Sequence, residues 1–364
     1  MKKFIILFIS FLSCVVAPAQ PNVEDLNMVY DVDIDEQTIW LSTDAGIVII
    51  DKASGKWQCY EVPNPRIETY RNYALGIEKR NDDLWLATRE YGVGKFRDGQ
   101  FDWICNTGLY SQCFLFDDNG DIFVGSTTFN KISQAGNLIL SEYIPDTQTQ
   151  SALRIYDMEP SPDGGVYIGF SCRPVFAGLY KYKDGEFIHL FKDCYHIYAL
   201  ATDKKGNLWI GSEYGLYMYD GDTFTHFTSD NSLFPSGKVR SVEADDEGNV
   251  WIGVNNQLAK YDGKEFTFYE TDENTKYYFT SICIDDNFIY LGTGGLGLFR
   301  FKEGKIEKIT INSTDYANEN TDGIQEIKER QYEDGATYSL DGSCVANSYH
   351  GIVIKDSKKS IRRR

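Results

Sequence analysis

The sequence predicts an all-β fold, a seven-bladed β-propeller with four-stranded blades followed by a small C-terminal β segment. Three observations predict it. A strand-turn-strand phrase recurs at Trp40, Trp85, Phe123, Tyr167, Trp209, Trp251 and Tyr290, at separations of 45, 38, 44, 42, 42 and 39 residues. A period of about 40–45 residues built from strand pattern is propeller spacing. The composition agrees, with 15% aromatic residues and 32 glycines, as many short strands and tight turns require.

Residues 239–269 serve as the template for one blade. Val239–Ala244 alternates with period two and reads as a first strand, and Asp245–Asn249 is a tight turn. Val250–Val254 is a near-continuous apolar run, as expected of a strand buried on both faces. Leu258–Tyr261 forms a third strand, Asp262-Gly263 a hairpin turn, and Glu265–Tyr269 a fourth strand. The same Asp-Gly turn recurs at 184–185 and 220–221 in the same phase. The turn aspartates Asp117, Asp203 and Asp245 lack the alternating oxygen ligands and closing Glu of a calcium loop, so they read as structural.

The ends differ from the repeats. Residues 1–19 have two lysines, a short apolar run and Ala17-Pro18-Ala19, the pattern of a secretory signal cleaved after Ala19. Lipidation at Cys14 is the alternative. The propeller is expected over 20–311, a polar linker over 312–323 and a C-terminal module over 324–364. Beyond the leader no stretch reaches the ~20 apolar residues that span a bilayer. The net charge of −18 argues against nucleic acid as a partner. Seven cysteines remain after the leader, scattered and odd in number, so no disulfide framework is read. Pairing of Cys105 with Cys113 and of Cys172 with Cys194 stays open.

The phrases at 205–221 and 230–253, with Gly-Asn-Leu-Trp-Ile-Gly at 206–211 and Gly-Asn-Val-Trp-Ile-Gly at 248–253, resemble the two-component regulator propeller repeat. The resemblance spans roughly 26–311, strong in the fifth and sixth copies and degenerate in the third and fourth. It implies kinship with the periplasmic sensor propellers of hybrid histidine kinases in Bacteroidetes, which are thought to respond to polysaccharide breakdown products. No transmembrane helix, kinase core or receiver domain follows the repeats, so a chain unable to signal alone is expected. Tyr338, Leu340, Gly342, Val345, Gly351 and Ile352, before a Lys-rich finish, resemble a type IX secretion sorting module. Together these imply an exported chain, periplasmic, cell-surface or extracellular.

No catalytic constellation is read. The four histidines lack HExxH spacing, and His189 and His226 fall at equivalent places in fourth strands, on the outside of the blades. No cofactor or metal is expected. In a propeller, the loops entering first strands and those leaving second strands gather at one mouth of the channel, a concave site of the kind ligands use. The first-strand positions there are Tyr30, Tyr73, Gln112, Tyr156, Tyr198, Arg240 and Thr280. From these and the following loops, the candidate ligand-binding residues are Tyr30, Tyr73, Arg89, Tyr91, Tyr156, Arg173, Tyr198, Tyr214, Arg240 and Asn256. Aromatic faces with Arg and Asn suit an oligosaccharide or peptide ligand. The insertion at 171–177 reads as a specificity loop. A non-catalytic binding propeller is thus expected, with an envelope-protein scaffold as the alternative and a lyase or glycosidase as the next.

Overall fold

The computed structural model describes residues 13–15, 21–66, 71–145, 154–171 and 178–317, apart from 193, 195, 272 and 274, and three short strands beyond residue 336. It divides into two compact units, Met1–Tyr316 and Ala317–Arg364. The first unit contains seven four-stranded antiparallel blades, each made from one continuous stretch of chain with its strands in sequence order. The first strand of each blade lies beside the first strand of the next, and Val29–Ile34 of blade one meets Phe279–Ile284 of blade seven to close the ring. A short strand, Ser13–Val15, adds to the outer edge of blade two by pairing with Gln100–Asp102.

The recurrent Trp-Ile-Gly phrase has a packing explanation. The glycine lies in the second strand, where the first strand of the following blade crosses. A β-carbon would lie 2.8 Å from Val239 Cγ1 at Gly211, 2.8 Å from Phe279 Cβ at Gly253, and 2.9 Å from Val29 Cγ1 at Gly292. Gly125 and Gly169 are closed off in the same way by Ile155 and Ile197. Only hydrogen fits, which brings neighbouring blades together and joins their faces into shared apolar clusters. One such cluster sets Trp209 of blade five against Val239, Val242 and Ile252 of blade six. The tryptophan is anchored at its polar end, since Trp209 Nε1 donates to Asp203 (3.0 Å) and Trp251 Nε1 donates to Asp245 (2.9 Å). The other carboxylate oxygen of each aspartate caps the turn, accepting the Asn207 and Asn249 amides. The turn aspartates are therefore structural groups. On the third strand, basic residues pair across with these aromatics: Lys95 lies 4.2 Å above Trp85, and Lys260 lies 5.2 Å above Trp251.

Closure does not use a strand shared between the two ends. Asn27 accepts the amides of Gly295 and Gly297, Thr280 Oγ1 donates to the Val29 carbonyl (2.7 Å), and Lys52 pairs with Asp285 (2.9 Å). Beyond the last blade, Trp57 Nε1 donates to the Asn312 carbonyl (2.8 Å), and the Tyr316 ring packs edge-on against Trp57 at 4.9 Å. Residues 312–316, read from sequence as the start of a linker, thus lie against blade one.

The described cysteines Cys59, Cys105, Cys113, Cys194 and Cys283 are all free thiols. Burial pushes Cys59 and Cys194 up to about 12, which keeps them as inert core groups. Cys105 and Cys113 do not pair, and Cys172 lies outside the described residues. Among the described residues no helix is long and apolar enough to cross a membrane. The second unit holds a three-stranded antiparallel sheet of Thr337–Ser339, Gly351–Lys355 and Lys358–Arg362.

Candidate functional site

A cavity of about 520 Å³ occupies the channel where the first strands begin. Its walls follow from a repeated irregularity. In six blades the pairing of the first strand with the second skips one residue. The skipped residues are Tyr30, Leu75, Tyr156, Tyr198, Arg240 and Thr280, and all six line the cavity. A bulge bends the strand and re-aims the extra side chain. Here the bulge takes these side chains out of the ladder and to the channel. Gln112 occupies the matching place in blade three.

This register corrects one reading. Leu75, not Tyr73, is the blade-two equivalent of Tyr30, because Ala74 pairs with Thr88 and Gly76 with Ala87. Tyr73 precedes the strand by one residue, its ring 6.1 Å from that of Tyr30, and Arg89 lies 5.8 Å over it. Tyr91 goes elsewhere: it packs on Trp103 at 5.0 Å, against the blade-two core. Tyr214 is exposed on the loop after the second strand of blade five, its carbonyl bonded to His226 Nε2 (3.1 Å). Asn256 is exposed, and its carbonyl accepts the Tyr277 hydroxyl (3.0 Å). Arg173 and the 171–177 loop lie outside the described side chains. Tyr30, Tyr156, Tyr198 and Arg240 are therefore the candidates that share the cavity wall.

The blade-five to blade-seven side of the mouth is a chain of fixed groups. Lys238 Nζ pairs with Glu213 Oε1 at 2.6 Å, and the Tyr198 hydroxyl donates to Glu213 Oε2 at 2.6 Å. Burial raises the Glu213 carboxyl, but the bonds from Lys238 and Tyr198 outweigh it and hold the group below the usual carboxylate range. Burial and the Glu213 bond push the Tyr198 hydroxyl well above its ordinary value, so it remains a neutral donor. The Arg240 guanidinium lies between two rings, 4.6 Å from Tyr198 and 4.5 Å from Tyr278. Tyr278 in turn rests on Gly294, where a β-carbon would come within 2.6 Å of its Cε2. Tyr156 meets Tyr198 edge-on at 5.4 Å. In blade one Tyr30 donates to Asp44 at 2.7 Å, and farther round the ring Arg154 lies 3.6 Å over Tyr110.

Below the mouth, acidic side chains reach from one blade to the next. Asp31 accepts the Ile77 amide (2.9 Å), Asp157 accepts the Leu200 amide (2.7 Å), and Glu159 accepts the Thr202 amide (3.0 Å). Burial pushes Asp31, Asp157, Glu159 and Glu243 up to about 7, against the opposing pull of the amides. Asp31, Glu78 and Glu243 also line a second cavity of about 850 Å³ nearer the other end of the channel.

Sequence reasoning missed this acidic tier and the Glu213–Lys238 and Tyr278–Gly294 supports. The pattern Asp31-Val32-Asp33 and its counterpart Asp157-Met158-Glu159 carried the signal for the tier: charge at alternate positions of strands otherwise read as core. The supports join residues from three blades and had no local signal. The two histidines of the fourth strands stack flat on neighbouring tyrosines, His189 on Tyr180 and His226 on Tyr217, both at 4.1 Å.

Residues 192–214 match the family model described as the two component regulator propeller. No curated protein matches the chain. Among solved structures, the extracellular domain of BT3049 from Bacteroides thetaiotaomicron, described as that of a hybrid two component system, is similar at a TM-score of 0.58 and 16% identity. The alignment covers 95% of this chain and 49% of that one. PorZ, a bacterial surface component of the type-IX secretion system of Porphyromonas gingivalis, is similar at 0.59 and 15% identity, over 92% of this chain and 59% of that one. A catalytically inactive virginiamycin B lyase from Staphylococcus aureus, crystallised with quinupristin, is similar at 0.62 and 12% identity, over 82% of this chain and all of that one. The chain thus spans half to three-fifths of the first and second of these structures. At such identities the likeness is one of fold.

Proposed function

We propose that this chain is an exported, non-catalytic binding propeller that takes a glycan-derived or peptide ligand at the mouth of its channel. The observation that carries the reading is the bulge ring. Six of seven blades lift one side chain out of the strand ladder to line one 520 Å³ cavity, and three of the six are tyrosines. The rings of Tyr30 and Tyr198, each held by a part-buried hydrogen bond from its hydroxyl, offer rigid apolar surface at low entropic cost, and the polar groups beside them fix orientation. The match to the two component regulator propeller and the likeness to an extracellular domain of that kind support the reading. Asp31, Asp157 and Glu159 of the acidic tier accept backbone amides of adjacent blades, which supports a structural role for them rather than a catalytic one.

The test is a thermal-shift screen of the mature chain against oligosaccharides and short peptides, since a ligand that binds only the folded state raises its apparent stability. A hit abolished by Tyr198→Ala supports the site. A hit insensitive to that change, and to Tyr156→Ala, overturns it.

A specific observation favours a second reading, that of an envelope scaffold. The outermost strand of blade three, Leu138–Glu142, exposes Leu138 and Ile139 by 48% and 56%, and the adjacent Tyr143 by 51%. An apolar outer edge of this sort is a place for a protein partner.

A further inference from the structure

Resting on that reading of the mouth, we infer that its ligand carries a carboxylate, that Arg240 receives it, and that the ligand is an oligosaccharide containing uronic acid. Among the described residues the Arg240 guanidinium makes no hydrogen bond and no ion pair; it lies against the faces of Tyr198 and Tyr278. The nearest acid in that chain of groups, Glu213, has one oxygen on Lys238 and the other on Tyr198. Arg240 is therefore left with planar donors that face the cavity it lines.

It is also held in place. Tyr198 is fixed through its hydroxyl and Tyr278 through the absent side chain at Gly294, so the guanidinium plane is fixed before any ligand arrives. A stacked, pre-organised guanidinium with an open edge matches a carboxylate, which accepts two parallel N–H bonds. A lysine at this place would offer a point charge without the fork. The remainder of the wall decides between carboxylate sources. Tyr30 and Tyr156 contribute ring surface, Gln112 contributes an amide, and Thr280, whose hydroxyl proton goes to Val29, contributes an acceptor oxygen. Flat ring faces beside small hydrogen-bonding groups suit a pyranose ring better than an extended backbone. The carboxyls beneath are pushed toward their neutral form, so the floor of the mouth repels an anion less than its residue count suggests.

The experiment is titration calorimetry on the mature full chain with oligogalacturonide and hyaluronan fragments. The controls are the same fragments with their carboxyls reduced to alcohols, and short peptides with free and amidated C-termini. Binding of a uronate fragment that weakens at least tenfold on carboxyl reduction, and at least tenfold in Arg240→Gln, is the expected result. Arg240→Lys restores only part of it, with the melting temperature unchanged. If acidic and reduced fragments bind equally and both are lost in Tyr198→Ala, the mouth is a ligand site and the carboxylate inference falls. Binding of free but not amidated peptides overturns the saccharide assignment. Arg240→Gln that lowers stability while leaving affinity intact would show an arginine that only balances the acidic tier, and overturns the inference. So does the failure of every carboxylated probe to bind.

Discussion

The guanidinium of Arg240 stacks 4.6 Å from the ring of Tyr198, although the two come from different blades. Each is a bulge residue at the start of its first strand, so the same backbone irregularity in blades five and six sets the two side chains face to face. The hydroxyl of Tyr198 is tied to Glu213, and the pair is thereby fixed at the edge of the cavity.

Tyr198 and Tyr91 therefore separate under substitution, though the sequence grouped them. Tyr198→Ala is expected to weaken ligand binding at least tenfold, about 1.4 kcal/mol, with a small effect on folding. Tyr91→Ala, which removes a ring packed on Trp103, is expected to cost roughly 2 kcal/mol of stability with unchanged affinity in the folded fraction. Paired urea melts and titrations of the two variants check this; equal effects on affinity would contradict it.

Gly294 acts on the site through Tyr278. Gly294→Ala is expected to displace that ring and loosen Arg240, lowering affinity several-fold. The readout that distinguishes positioning from general damage is the Arg240→Gln background, in which the glycine change has no further effect on affinity.

The second-strand glycines govern blade contact rather than binding. Gly253→Ala places a methyl group against Ser241 Oγ of its own blade and 2.8 Å from Phe279 Cβ of the next, and overpacking of this kind costs about 1–3 kcal/mol. A chemical melt measures it, and a variant as stable as the parent would show that the blades can separate freely.

Much of the fold was legible because this constraint repeats. Every blade must place a small residue beneath the next, so Gly125, Gly169, Gly211, Gly253 and Gly292 mark the period, with Ser42 and Ala87 at the matching places of blades one and two. The turn aspartates were legible for a similar reason, since each serves its own hairpin. The mouth was only partly legible. Tyr30, Tyr156, Tyr198 and Arg240 shared a phase that sequence could show, but the one-residue skip that moved Leu75 into the place assigned to Tyr73 depends on cross-strand pairing. Tyr91 carries no local mark that it folds back onto Trp103. The Lys238–Glu213–Tyr198 chain joins blades five and six and exists only once the ring is closed.

Stability is expected to peak on the acid side of neutrality. Asp31, Asp157, Glu159 and Glu243 have folded values raised to about 7, from roughly 4 when unfolded. The folded state therefore binds more protons between those values. Their contribution is fully present below about pH 4 and is lost as pH rises through 7. The turn aspartates Asp203 and Asp245 have the opposite sign: burial raises them, their bonds from Trp and Asn lower them further, and their contribution is lost as pH falls below about 4. Urea midpoints are expected to be highest near about pH 5 and to decline toward pH 8, with a shallower decline in Asp157→Asn. A midpoint that climbs steadily to pH 8 would contradict the assignment.

The bulge ring at the channel mouth is where this propeller is expected to bind its ligand. Hydrogen–deuterium exchange of residues 20–364, with and without a saturating ligand from the thermal-shift screen, decides this. The predicted result is slowed exchange confined to residues 196–200, 238–242 and 278–282, the segments that carry Tyr198, Arg240 and Tyr278. Protection centred instead on Leu138–Glu142, with the mouth unchanged, would contradict the claim and move the binding surface to the outer edge of blade three.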